Sequence, residues 1–133
     1  MATAKLDWNP ARTWLAVLGV TLLLAAILGL IEPATEMLHR LKLHVEGGED
    51  FLHWVLAALT LGLAFGVKDV RLLSTITIVY GAVYIVVGLF GFVVNEIGPW
   101  HVAVGDNILH LAIGAVTIGA GLATRKRLPE TRA

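Results

Sequence analysis

The chain of 133 residues contains no cysteine, and only 15% of its residues are charged. Without cysteine it can form neither a disulfide nor a thiolate metal site. Basic and acidic residues number ten each, so the formal net charge is zero and nucleic acid is not indicated as a partner. A Gly-rich phosphate loop, a Ser-His-Asp set and a nucleotide fingerprint are also lacking, which argues against the enzymes that depend on them.

Hydrophobic residues, in contrast, are abundant: they make up 57% of the sequence and give a mean hydropathy of +0.80. A soluble domain of this length cannot bury so much apolar surface, because its surface-to-volume ratio is too high. Lipid resolves that difficulty. The composition therefore predicts an integral membrane protein.

Four apolar runs are separated by charged residues, proline or glycine. Each approaches the roughly 20 residues that a helix needs to cross the bilayer core. The predicted spans are residues 13–31, 51–67, 72–94 and 106–123. The sequence thus predicts an all-α fold, an integral membrane four-helix bundle that forms a single transmembrane domain over residues 1–133.

Two stretches of the chain, residues 48–66 and 105–123, are alike when one is shifted by 57 positions. They align without a gap, and a match of this density is not expected from composition alone. The identical pairs at this shift are Gly48/Gly105, Leu52/Leu109, His53/His110, Ala58/Ala115, Thr60/Thr117 and Gly62/Gly119. Leu61/Ile118 is a conservative pair. The pattern predicts an internal repeat.

The first and third spans also align, at a shift of 62 positions that places Gly19 beside Gly81. Each copy therefore contains two spans, and an even number of spans gives copies of the same orientation. The sequence predicts two parallel repeats of a helical hairpin, at about residues 13–67 and 72–123. The simplest packing of such repeats places the second and fourth helices at the centre.

Basic residues are distributed unevenly between the two sides of the predicted bundle. Only Arg40 and Lys42 belong to one side. The other side holds Lys5, Arg12, Lys68, Arg71, Arg125, Lys126, Arg127 and Arg132. By the positive-inside rule we expect both termini to be cytoplasmic in a multi-pass protein of the bacterial inner (plasma) membrane.

Helical periodicity places small residues and one hydroxyl on a single face of the second and fourth helices. Small residues let helix backbones approach closely, and a buried hydroxyl can hydrogen-bond across the contact. The predicted helix-seam residues are Ala57, Thr60, Ala64, Gly114, Thr117 and Gly121. A second close-packing face is predicted from Ala58, Gly62, Gly66, Ala115, Gly119 and Ala123. On the third helix, Gly81, Gly88 and Gly91 predict a stripe that docks another membrane protein.

A carboxylate precedes each repeated histidine by four positions: Glu49 precedes His53, and Asp106 precedes His110. This spacing brings each acid and its histidine onto one helical face. In one interpretation the acids cap the helix N-termini and the histidines donate hydrogen bonds across the seam or to loop carbonyls.

Two further interpretations make these pairs a ligand site. In the first, His53, His110, Glu49 and Asp106 converge on a divalent metal such as zinc, with His44 or His101 as additional candidates. In the second, an outer-side histidine binds a tetrapyrrole, either haem or a chlorophyll-type pigment, or senses pH. The spacing of the residues leaves all three interpretations open.

Three short motifs carry a resemblance to a known family. They are Asp106-Asn107-x-Leu109-His110-Leu111 with Gly114, Leu52-His53, and Gly81-x-x-Tyr84-x-x-x-Gly88-x-x-Gly91. Over about residues 13–123 the chain resembles the bacterial four-helix integral membrane family of unknown function called domain of unknown function 4383. Glu49-Asp50 stands where that family often has Asn or His. The resemblance implies a fold and no established activity.

The sequence as a whole predicts a small non-enzymatic membrane protein. No span carries an acidic residue at its middle, which argues against a proton-coupled pump or a cation channel. We expect a structural or accessory subunit that contacts membrane lipids and packs with itself or with a larger membrane complex. The alternative is a metal- or cofactor-binding membrane protein that uses the repeated His/carboxylate pairs. An enzyme acting on a lipid or quinone is a third class.

Overall fold

Four long α-helices account for most of the structure. The computed structural model describes residues 5–31, 36–37, 40–41, 48–94, 96–97, 100–101 and 104–129, with side chains over 5–31, 36–37, 40–41, 51–94 and 105–129. The helices are α1 (Pro10–Leu28), α2 (Gly48–Gly66), α3 (Val70–Val93) and α4 (Val104–Lys126). Between α3 and α4, the short strands β1 (Glu96–Ile97) and β2 (Trp100–His101) pair in antiparallel fashion. The predicted all-α, four-helix class is confirmed.

All four helices begin two or three residues before the predicted spans, and polar side chains cap the starts of α1 and α3. Asn9 accepts a hydrogen bond from the backbone N–H of Arg12 at 2.9 Å, and Pro10 follows as the first helical residue. Asp69 accepts from the backbone N–H of Leu72 at 2.8 Å. Each cap satisfies an N–H group that has no partner within its own helix, so the helix starts beside the cap.

Within the described residues, three helices are long and apolar enough to cross a membrane. The segments that qualify are Pro10–Leu28, Val70–Val93 and Gly105–Lys126. The apolar part of α2, Phe51–Gly66, is shorter. At 1.5 Å per residue it extends about 24 Å, against about 30 Å for the hydrocarbon core of a bilayer.

The helices pack as two hairpins joined side by side. α1 lies along α2, α3 lies along α4, and α1 also contacts α4. The expectation that the second and fourth helices form the centre is wrong, since their backbones approach each other far less than each approaches its hairpin partner. A cluster of Leu18, Leu22 and Ala57 fills the middle of the bundle, with Tyr80 and Ile113 packed against it.

The interior of the bundle combines leucines and small residues with several polar side chains, whereas its outer surface is apolar. Its buried polar residues are Asn9, Arg12, Thr60, Ser74, Thr77, Asn107, Thr117 and Thr124. Large apolar side chains such as Val83, Val86 and Phe90 are exposed on its surface. In water so large an apolar surface would be an aggregation liability, whereas in lipid it is the favourable arrangement.

Candidate functional site

The glycines of α3 lie in the contact with α4. A Cβ added to Gly81 would lie 2.8 Å from the carbonyl oxygen of Gly114, and one added to Gly88 would lie 3.0 Å from that of Asn107. A Cβ on Gly91 would fall on the side-chain oxygen of Asn107. The predicted docking stripe is therefore wrong: Gly81, Gly88 and Gly91 are needed inside the bundle, because α4 passes too close for larger residues.

All six residues of the predicted helix seam are buried: Ala57, Thr60, Ala64, Gly114, Thr117 and Gly121. They do not form one surface. Gly114 and Gly121 pack against α3, where added Cβ atoms would lie 2.8 Å from the side chain of Ile85 and 2.6 Å from that of Ile78. Ala64 packs instead with Ala11, in the cluster at the start of α1. The glycine and alanine positions therefore serve mainly to close each hairpin.

The two repeated threonines link one hairpin to the other. The hydroxyls of Thr60 on α2 and Tyr80 on α3 lie 2.7 Å apart. On α4, Thr117 accepts a 2.7 Å hydrogen bond from the indole nitrogen of Trp14 on α1. Each threonine thus meets an aromatic residue on the first helix of the other hairpin, which gives the polar end of that aromatic ring a buried partner.

Aromatic rings extend this contact toward the histidine of α4. Tyr80 and Tyr84 meet edge to face with their ring centroids 5.2 Å apart. The ring of Tyr84 lies 5.7 Å from that of His110, tilted by 50°. The hydroxyl of Thr60 is therefore connected to His110 by a continuous row of polar and aromatic side chains through the interior.

Three buried polar atoms beside this row have no hydrogen-bond partner in the described part of the molecule. They are the Tyr84 hydroxyl, Nδ1 of His110 and Oδ1 of Asn107. A buried donor or acceptor without a partner costs about 1–3 kcal/mol. Such groups call for an explanation, and an ion or ligand is one of the recognised ones. Asp106 and His53 both lie within electrostatic range of His110.

The predicted metal site is only partly described by the structure. Among the side chains that it places, no three of the His, Cys, Asp and Glu type come together to hold a metal ion. The side chains of Glu49 and His101, and all of His44, lie outside the described residues. The set of His53, His110, Glu49 and Asp106 therefore stays a prediction.

Arg12 has a structural role that the sequence did not reveal. Its side chain is completely buried. It donates to the carbonyl oxygens of Asp7 at 2.7 Å and Val67 at 2.8 Å, and also to that of Ala64. The last two belong to the end of α2, where carbonyls have no partner within the helix and the helix dipole is negative. Arg12 thus provides hydrogen-bond donors for the end of α2, the helix whose apolar part falls short of the bilayer core. One feature of the sequence could have indicated this role: the helix cap Asn9-Pro10 places Arg12 in the first turn of α1.

Comparison with known proteins adds no further information about the site. No family model matches the chain, and neither a curated protein nor a solved structure is significantly similar to it. The resemblance to the four-helix family of unknown function therefore stays a prediction.

Proposed function

We propose that this is an integral membrane protein of the bacterial inner membrane, with four spans and both termini cytoplasmic. The length of three apolar helices and the apolar outer surface of the bundle support its place in the membrane. Its orientation is supported by the basic residues that gather at the end where α1 starts and α4 stops.

The lack of native cysteine makes this topology directly testable. A single cysteine is introduced either as Lys68→Cys, in the turn between α2 and α3, or as Glu96→Cys, between α3 and α4. In intact cells a membrane-impermeant maleimide should label Glu96→Cys, whereas Lys68→Cys should react only after the cells are lysed. The opposite labelling pattern would overturn the orientation, and labelling of both positions in intact cells would contradict a bundle that crosses the membrane.

The same proposal includes the duplication of a helical hairpin. A Cβ on Gly19 of α1 would lie 2.7 Å from Leu61 of α2, and a Cβ on Gly81 of α3 would lie 2.7 Å from Ile118 of α4. The sequence alignments independently pair Gly19 with Gly81 and Leu61 with Ile118. Equivalent glycines thus pack against equivalent aliphatic side chains in the two hairpins, which supports a duplicated unit.

Within the membrane, the protein acts as a non-enzymatic structural or accessory subunit that packs with itself or with a larger membrane complex. The observation that carries this proposal is a pair of outward stripes of small residues on α2 and α4. All six members are exposed: Ala58, Gly62, Gly66, Ala115, Gly119 and Ala123. Added Cβ atoms on Gly62, Gly66 and Gly119 would meet nothing within 4 Å. Such stripes let another helix approach closely.

This role is tested by enlarging the stripes without disturbing the bundle. Gly62→Leu and Gly119→Leu add side chains where the bundle itself has open space, so we expect the fold to persist and the assembly to dissociate. The assembly is measured by native electrophoresis of protein in lipid nanodiscs. Val83→Leu, on the exposed face of α3, is the matched control. An unchanged assembly in the glycine variants would contradict the proposal.

A second candidate function is binding of a metal ion or tetrapyrrole cofactor near His53 and His110. It is favoured by the unpartnered Tyr84 hydroxyl and His110 Nδ1 in the interior. This function is tested by elemental analysis and absorption spectroscopy. The purified wild type is compared with the double variant His53→Ala/His110→Ala. Stoichiometric metal or a visible band that disappears in the variant would favour this function. If the purified wild type contains no metal and shows no visible absorbance, this function is rejected.

A further inference from the structure

The end of α4 and the start of α3 meet at one corner of the bundle, which we name the basic corner. Its members are Lys68, Arg71, Arg125, Lys126 and Arg127. Arg125 reaches from α4 to α3, where its Nε lies 3.4 Å from the hydroxyl of Ser74 and its Nη2 bonds the hydroxyl of Thr75. Arg71 reaches in the other direction, and its Nη2 donates to the carbonyl oxygen of Pro129 at 2.8 Å. Two guanidinium groups are thus fixed across the same helix pair.

The groups that hold these arginines are neutral. The hydroxyls of Ser74 and Thr75 donate to the backbone carbonyl of Arg71, at 2.8 and 3.1 Å, so their lone pairs are available to Arg125. The carboxylate of Asp69 instead caps α3 through the N–H of Leu72. Among the residues that the structure places, no acidic side chain forms an ion pair with Arg71 or Arg125. Within the described part of the molecule, their positive charge is held in place by neutral groups and is not paired with a carboxylate.

We propose that the basic corner binds the phosphate of an anionic phospholipid headgroup. Guanidinium groups match phosphate geometry through paired N–H donors. Three further exposed cations, Lys68, Lys126 and Arg127, lie within three residues of the two fixed ones along the chain. The corner lies at the ends of apolar helices, where lipid headgroups are found, so this inference rests on the proposed membrane embedding. Basic residues that only set the orientation of a membrane protein need positive charge but no fixed position. Here hydrogen bonds also fix the positions of Arg71 and Arg125.

The test is a lipid titration of the purified full-length protein by native mass spectrometry. The probes are dioleoyl phosphatidylglycerol, the neutral dioleoyl phosphatidylcholine, and inorganic phosphate as a competitor. Arg71→Ala/Arg125→Ala should bind phosphatidylglycerol roughly thirty-fold more weakly than wild type, because two cationic groups that attract the headgroup are removed. Lys5→Ala/Arg40→Ala removes the same charge elsewhere and should bind as wild type does. Arg71→Lys/Arg125→Lys, which keeps the charge but loses the guanidinium fork, should fall between wild type and the alanine variant.

Each arm has a result that would overturn the proposal. Equal binding of phosphatidylcholine, or unchanged binding by the alanine variant, would exclude an anionic headgroup site. Wild-type binding by the lysine variant would show that the fixed fork is not used, and displacement by inorganic phosphate would make the ligand free phosphate rather than lipid. Alkaline carbonate extraction of membranes is run in parallel. If the protein stays in the membrane but shows no lipid selectivity, the lipid-site inference fails and the proposed membrane embedding stands. If the protein is extracted, the proposed membrane embedding itself has failed.

Discussion

Gly91 and Asn107 share a position between α3 and α4 that leaves no room for a larger residue. Asn107 is almost completely buried, and its side-chain oxygen occupies the place that a Cβ of residue 91 would take. The glycine is required for space and not for backbone freedom, because Gly91 lies within a regular helix. The sequence predicted Gly91 to be a contact residue, but it could not show that the contact is with α4 of the same chain and not with another protein.

Adding one methyl group at this position should destabilise the bundle. We expect Gly91→Ala to lower the free energy of unfolding by about 1–3 kcal/mol, since the new atom forces the two helices apart. Unfolding in detergent, followed by circular dichroism, measures the effect. Gly62→Ala is the matched control; it adds the same group in open space and should be neutral or up to about 1 kcal/mol stabilising. The double variant Gly91→Ala/Asn107→Ala should recover part of the loss. Without such recovery, Asn107 is not the cause.

Arg12 shows how one residue can complete a neighbouring helix. We expect Arg12→Leu to lower the free energy of unfolding by about 2–3 kcal/mol, because the carbonyls of Ala64 and Val67 lose their donor while buried. Amide hydrogen exchange in the last turn of α2 should accelerate more than exchange in α3. Lys126→Leu, at an exposed basic position, is the control and should leave that turn unchanged. Equal protection of the last turn in Arg12→Leu and wild type would rule out this capping role.

At the scale of helices, the apolar runs predicted well where each helix lies in the sequence, but the sequence predicted poorly which helices pack against each other. The spans agree with α1, α2, α3 and α4 to within a few residues, because hydrophobic length and the breaks around it are local properties. Periodicity identifies which residues of a helix share a face but not which helix that face meets. The buried seam of α4 accordingly lies against α3 through Gly114 and Gly121, and the glycine stripe of α3 faces inward.

The hydrogen bond between α2 and α3 should contribute modestly to stability. Removing the hydroxyl of Tyr80 frees that of Thr60 to bond elsewhere, as threonine hydroxyls in helices do when they donate to their own preceding turn. A double-mutant cycle of Thr60→Val and Tyr80→Phe should therefore give a coupling energy of about 0.6 kcal/mol, the average for such contacts in membrane bundles. A second cycle, of Thr21→Val with Tyr80→Phe, is the control, because the hydroxyl of the exposed Thr21 donates to the carbonyl of Val17 in its own helix. Equal coupling in both cycles would mean that the contact is not specific.

At the scale of the whole molecule, close backbone packing closes each hairpin, whereas sparser backbone packing, apolar side-chain clusters and several hydrogen bonds join the two. Among the described residues, joining bonds run from Trp14 to Thr117, between Thr60 and Tyr80, and from the backbone N–H of Ala11 to the hydroxyl of Thr124 at 2.8 Å. The Thr124 hydroxyl also lies 3.4 Å from the side-chain oxygen of Asn9. Helices in a membrane form before they associate, and association then depends on close packing and hydrogen bonds. Each hairpin should therefore assemble as a unit. The contact between the two hairpins should be weaker than the contact within each hairpin.

This view predicts that the chain can be divided in the exposed turn between α2 and α3. Two fragments separated between Lys68 and Asp69 should co-purify when produced together, because none of the joining bonds depends on the continuity of that turn. Adding Trp14→Phe and Tyr80→Phe removes one partner from each of two joining hydrogen bonds and should reduce recovery of the second fragment. Val83→Ala, on the exposed face, should not. Recovery is measured by affinity purification through a tag on the first fragment. If the unmodified fragments purify separately, the hairpins are not independent units, and the bundle forms only as one continuous chain.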